Sequence, residues 1–225
     1  MRLSSSIAKR LLPRMRRYLG MNCLRVLQYE CGEGGGIPRS QRNAECRVLS
    51  EDEVLAFAVD PELELDEQWV RGAFARGAVC LGAVDNGRML GYTWLAFCDT
   101  PYTSGVWIHL DPAMRYLHKS FVRPGYRGQR IIHALHAFAD RPDLWRGCHA
   151  SINFVDVDNF ASLAALQRVG SRTLGYATYA RIFGTVIAFR SPGLRRAGID
   201  LYAQPARRIA DRMRAWADPD RHSSA

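Results

Sequence analysis

Apolar residues recur along this chain in two rhythms, and short β-rich runs alternate with stretches of helical spacing. Residues 24–29 read as a short strand, and 31–40 as a glycine-rich loop. Its glycines are not followed by Gly-Lys-Ser/Thr, so it is not read as a nucleotide loop. Residues 46–49 are predicted to be a strand. Ser50 then caps a helix, with Glu53 completing a capping box. A second helix is expected over 60–77, with its first turn ambiguous. The runs 78–84 and 88–97 are strands joined by Asp85-Asn86-Gly87, a strong hairpin signal. A third strand lies within 105–122 and ends at Phe121-Val122. Helix 127–139 and strand 148–155 follow. Asn159 opens helix 160–169, which Gly170 stops in the manner of a left-handed cap. Residues 173–183 and 185–190 form the last two strands. This order predicts an α/β domain on one mixed sheet.

The ends differ from this middle. Ile7, Leu11, Met15 and Tyr18 recur at helical spacing among Lys9, Arg10, Arg14, Arg16 and Arg17, although Pro13 weakens the middle of that helix. Tyr202, Ala206, Ile209, Met213 and Trp216 recur at steps of four and three, predicting an amphipathic C-terminal helix. The expected organisation is therefore a basic N-terminal helix, short strand and glycine-rich loop over 1–45, a central domain over 46–190, and a basic helix and tail over 191–225.

Charge follows the same division. The net charge is +9. Residues 1–30 carry seven basic side chains and one acid, and residues 190–225 carry eight and four. The rest is nearly neutral, which argues against a folded nucleic-acid-reading face. The ends could instead touch an anionic surface. The chain has no apolar run of about 18 residues, and its N-terminus lacks the apolar core and cleavage site of a secretory signal. The six cysteines are scattered with no CxxC pair, as reduced thiols are in a cytosolic protein. The expected location is cytoplasmic, with peripheral contact at the inner membrane surface left open.

The stretch Phe121–Leu135, FVRPGYRGQRIIHAL, passes from a strand end through a basic turn into a helix. A helix N-terminus has unpaired N–H groups and the positive end of the helix dipole, so such a turn makes an anion site. Gly128 allows close approach of the backbone, and Arg127 and Arg130 add charge. An ordinary strand–helix connection with solvated arginines has the same pattern. With the order of elements added, the chain resembles the GNAT superfamily of acyl-CoA-dependent N-acyltransferases over roughly residues 46–190. Val122, Pro124, Tyr126, Arg127 and Gly128 match the run that carries the family's phosphate motif. Val155, Asn159, Ser162 and Gly170 match its second signature.

The resemblance implies a GNAT-like fold, a mixed and mostly antiparallel central sheet flanked by helices. It implies acetyl-CoA as acyl donor, direct attack by an amine, and no metal. The cofactor-binding residues it implies are Val122, Arg127, Gly128, Gln129, Arg130, Ile131, Ile132, Asn159 and Ser162, with the oxyanion donor near Val122. Two departures stand out. The family's glycines fall on Arg130 and Ile132, whose side chains could point away because first-turn helical angles do not require glycine. The family's tyrosine acid falls on Leu166.

For catalysis the expected candidates are His118, as a base, and Tyr176, as a substitute acid, with Tyr179 nearby on the same strand. Strict alternation would put Tyr116, His118 and Ser120 on one face with Val122. Packing is the plainer reading for each, as helix capping is for Asn159 and for the acids at 60–67. His133, His136 and Asp140 share a helix face but make a weak metal set. The acceptor class is a small-molecule or peptide amine. The alternatives are a catalytically silent CoA- or anion-binding module, and a membrane or nucleic-acid contact through the basic ends. The sequence does not set the oligomeric state.

Overall fold

The computed structural model describes residues 20–32, 44–103, 105–182 and 185–203. The helix expected over 5–19, most of the glycine-rich loop, and the apolar stripe from Ala206 onward lie outside these residues. In chain order come strands β1 (Asn22–Glu30) and β2 (Glu45–Leu49), then helices α1 (Glu51–Ala58) and α2 (Glu67–Ala75). The hairpin β3 (Val79–Asp85) and β4 (Arg88–Ala96) follows, then β5 (Thr100–Thr103), β6 (Val106–His109) and β7 (Met114–Val122). Helix α3 (Ile131–Ala139), strand β8 (Ala150–Asp156) and helix α4 (Phe160–Arg168) come next. Strands β9 (Arg172–Ile182) and β10 (Thr185–Arg190), helix α5 (Pro192–Arg196) and strand β11 (Asp200–Ala203) complete the order. The class is α/β, with a large, mostly antiparallel sheet and flanking helices, as expected.

Two compact units divide the chain. The first contains, of the described residues, 30–32, 44–98 and 112–151. Its strands lie in the order β7-β4-β3-β2. On one face α1 and α2 bury Val54 and Val70 against Leu49, Tyr92 and Trp94. On the other, α3 buries Ile131 and Leu135 against Leu81, Leu95 and Leu117. The second unit contains 20–29, 99–111 and 152–203. Its strands run β10-β9-β1-β8, and α4 packs Leu163 and Leu166 on Leu27 and Val155. A three-stranded sheet, β11-β6-β5, belongs to the same unit.

Local signals formed as read. Ser50 Oγ accepts the Glu53 N–H at 3.3 Å, and Glu53 accepts the Ser50 N–H at 2.9 Å, which starts α1. Asn86 and Gly87 turn the β3–β4 hairpin with φ of 48° and 76°, the left-handed pair that suits the twist of the strands.

Other expectations are corrected. The helix expected over 60–77 is broken. Asp60 caps a separate turn at Pro61–Leu63, Glu64 ends it at φ 53°, and Asp66 caps α2 by accepting the Trp69 N–H at 2.7 Å. The helix expected from 127 begins at Ile131, because Gly128 and Arg130 have φ of 77° and 60°, which a right-handed helix excludes. The single strand expected in 105–122 is two, β6 and β7. Tyr202 belongs to β11 and not to a helix: it pairs with Trp107, and its hydroxyl donates to Asp99 Oδ2 at 2.8 Å.

Candidate functional site

The β7–α3 turn is built from a buried arginine outward. The Arg123 N–H donates to the Leu90 carbonyl at 2.9 Å and closes the last rung between β7 and β4. The Arg123 side chain is fully buried. Its Nε donates to the Met89 carbonyl at 2.6 Å and Nη2 to Asp60 Oδ2 at 2.6 Å, while Nη1 pairs with Glu62. The guanidinium holds the Asp60 carboxyl below its usual range. Two of the acids that could have drawn a cationic substrate are thus tied to the turn.

Pro124–Tyr126 make one tight turn, after which Arg127 is extended and Gly128 and Arg130 are left-handed. Arg130 is the N-cap of α3 at φ 60°, ψ 21°, with no side-chain cap and no acid in the first turn. The expectation that helical angles spare this position from needing glycine is therefore wrong for Arg130. It holds for Ile132, which is inside the helix and packs on the apolar cluster below α3. Ile131 is buried in that cluster. Both isoleucines point into the core, so the first-turn N–H groups of Ile131, Ile132 and His133 face the turn without intrahelical acceptors. Arg127 and Arg130 are exposed beside them, and Gln129 Nε2 donates to the Gly125 carbonyl at 3.4 Å. Amide donors, a positive helix end, two arginines and no first-turn acid fit a diphosphate.

Val122 stands at the entrance to this turn. Leu90 and Arg123 form a hydrogen-bonded pair, so Gly91 and Val122, next along the ladder, are a non-hydrogen-bonded pair. Their N–H and C=O groups turn away from each other. The Val122 carbonyl accepts Arg127 Nε at 3.3 Å, and its N–H points to the side of β7 away from β4. Gly91 is needed at this rung, since a Cβ there would meet the Phe121 carbonyl at 2.7 Å.

His118 does not share a face with Val122. Trp94 pairs with His118 and Tyr92 with Phe121, so two steps on β4 face three on β7. The extra residue is a bulge at Lys119, φ 46°. It puts His118 with Phe121 and leaves Val122 on the face of Leu117. Ser120, beside the bulge, bonds the Thr93 hydroxyl at 2.8 Å. His118 stacks on Tyr116 at 4.7 Å and meets the Trp69 ring at 6.0 Å. Burial, with Arg76 and Lys119 nearby, pushes its pKa down to about 3. The imidazole is neutral at pH 7 and a weak base. Its Nε2, and the Trp94 Nε1 across from it, are buried without a hydrogen-bond partner among the described residues.

The remaining candidates belong to the second unit. Asn159 caps α4, its Oδ1 accepting the Ser162 N–H at 3.1 Å. Leu166, on the tyrosine position, is a core residue. Tyr176 is 43% exposed on β9, with the Arg25 guanidinium 5.6 Å from its ring centre and its N–H donated to Ser191 Oγ. Tyr179, on the opposite face, is buried against Tyr102. The His133 face holds no metal set. Asp140 accepts the Gly32 N–H at 2.9 Å and lies 3.7 Å from Arg115, and burial pushes the His136 pKa down to about 4. No three His, Cys, Asp or Glu side chains among the described residues are arranged to hold a metal.

Sequence reasoning missed Arg123, whose partners are 61 and 63 residues away, and the bulge at Lys119. The one available signal for a special turn was the Pro-Gly after Arg123.

The sequence model of the acetyltransferase (GNAT) family matches residues 45–170. No curated protein matches the chain. Among solved structures, it is similar to a functionally unknown conserved protein from Staphylococcus epidermidis ATCC 12228, at 15% identity and a TM-score of 0.50, covering 80% of this chain and 67% of that one. A Drosophila protein matches at 15% identity and 0.50, covering 81% and 60%. A GCN5-related N-acetyltransferase from Sphaerobacter thermophilus matches at 14% and 0.49, covering 84% and 58%. The chain thus spans 58% to 67% of these proteins' lengths.

Proposed function

This chain belongs to the GNAT acetyltransferase family, and on that premise we propose that it moves an acetyl or other acyl group from CoA to a primary amine. The observation that carries the reading is the start of α3, which has no side-chain cap and no first-turn acid and follows exposed Arg127 and left-handed Gly128 and Arg130. The diphosphate of CoA would accept from those amides. The outward Val122 N–H would donate to the thioester oxygen as it gains negative charge. The amine nitrogen bonds to the carbonyl carbon, the C–S bond breaks, and CoA leaves as a thiolate. The amine's extra proton passes to solvent, since His118 is buried on the face opposite Val122 and its pKa of about 3 is far from the optimum for a base at pH 7. Asn159 supports the reading only as a helix cap.

A second reading is favoured by Leu166 in the core and by that weak histidine: a domain that binds CoA without turnover. Thiol release from acetyl-CoA across a panel of amines separates the two. Release that depends on one amine class supports the enzyme. Tight CoA binding with no release above the no-amine rate supports the silent module.

A further inference from the structure

Lysine is almost absent from this chain. Of its 31 Lys and Arg side chains, 29 are arginine, and Lys119 is the one lysine among the described residues. It stands at the β7 bulge with φ 46°, a left-handed conformation that strains any residue with a Cβ. Strain of this kind persists only where the surroundings hold it, and it gathers at functional positions. The bulge also sets where the amine goes. Unbroken alternation would send Lys119 to the face of Leu117, under α3. Instead its Nζ lies 4.5 Å from the centre of the Trp69 ring, on the α2 side. Residue 119 is exposed there. Desolvation by its surroundings nonetheless lowers its pKa, and Glu64 and Asp66 nearby offset part of this.

A cation held over a tryptophan does not call for lysine. Arginine takes that place more often, and the chain uses it at every other described Lys/Arg position. What arginine cannot supply near neutral pH is an uncharged amine. Lys119 is also within reach of the reacting atoms. Val122, whose N–H faces the thioester oxygen in the proposed reaction, is three residues on, about 10 Å along the strand. A lysine stem covers about 6 Å of that, and an N–H···O=C contact about 4 Å.

We propose that Lys119 is an acyl acceptor for its own domain, a modification site that rests on the acyl-transfer reading. The neutral Nζ bonds to the thioester carbonyl carbon, the C–S bond breaks, and CoA leaves as a thiolate. The proton lost by the nitrogen passes to solvent. The product is an uncharged amide on Nζ, so the cation over Trp69 and beside Glu64 and Asp66 disappears.

The test incubates the full chain with isotope-labelled acetyl-CoA and no added amine, then digests it with trypsin, which cuts after Lys119 only while its amine is free. The uncut peptide 116–123 should appear carrying one acetyl group. It should form at least tenfold faster than in chain unfolded in urea, and excess CoA should slow it. Lys119→Arg keeps the charge and should abolish the label while CoA still binds by calorimetry. Label at Lys119 that forms as fast in urea, or that excess CoA does not slow, is plain chemical acetylation and overturns the assignment. An unlabelled Lys119 in protein that binds acetyl-CoA overturns it too, and thiol release to an added amine in the same sample then shows that the acyl-transfer reading survives. A chain that binds no acetyl-CoA overturns both.

Discussion

Arg130 occupies a left-handed position that costs an L-residue about 1–2 kcal/mol, and its exposed guanidinium makes no contact among the described residues that would offset this. On the proposed reading the side chain pairs with phosphate. Arg130→Gly relieves the backbone, and the greater freedom of glycine in the unfolded chain takes back part of the gain. A rise of about 0.5–1 kcal/mol in urea-melt stability is expected. Arg130→Ala keeps the strain and loses the charge, so stability should barely move while CoA binds several-fold more weakly and with a flatter salt dependence. Unchanged CoA affinity in Arg130→Ala would make the arginine a bystander. The buried histidines give a second residue-scale expectation. Burial lowers His118 to about 3 and His136 to about 4, from 6.5. Below pH 6.5 the unfolded chain takes up protons that the folded chain refuses. Stability from these groups is therefore full above pH 6.5 and is lost as pH falls toward 4, by up to about 1.4 kcal/mol per pH unit for each. His136→Leu should flatten the fall in stability between pH 6 and 4.5 by about one proton. An unchanged slope would mean that His136 titrates as it does when exposed.

At the scale of elements, Arg123 joins the β7–α3 turn to the segment before α2. Arg123 is buried, but Asp60 and Glu62 are 43% and 41% exposed, so truncating it chiefly removes hydrogen bonds, including the one to the Met89 carbonyl, and costs about 1–3 kcal/mol. Arg123→Ala should lose that much in urea melts, and CoA affinity should fall with it because the turn loses its tether. The exposed Arg141–Asp143 pair is the contrast, and Arg141→Ala should cost less than about 1 kcal/mol. A small loss for Arg123→Ala would show that the turn stands without its anchor. These elements also show what a sequence can disclose. Ser50 with Glu53, Asn159 before α4, and Asn86-Gly87 were legible because each signal acts within three or four residues. The β7–α3 turn was legible for the same reason, apart from the left-handed Arg130. The bulge at Lys119 was not, because it exists only in the register between β7 and β4, and it moved His118 off the face of Val122. Nor was the β11-β6-β5 sheet, whose strands are four residues each and meet across about ninety residues of chain.

For the whole molecule, family membership rests on residues 45–170, while the basic ends lie outside that span. No described helix is long and apolar enough to cross a membrane. The central claim is that the start of α3 receives the diphosphate of CoA. The most direct test is a titration of the isotope-labelled full chain with CoA, followed residue by residue through backbone amide NMR shifts. The account predicts saturable shifts that are largest at Gly128 and at Ile131, Ile132 and His133. It also predicts smaller shifts at the same residues with a pantetheine fragment that lacks the diphosphate. Saturable binding of CoA that leaves those four amides unmoved would contradict it.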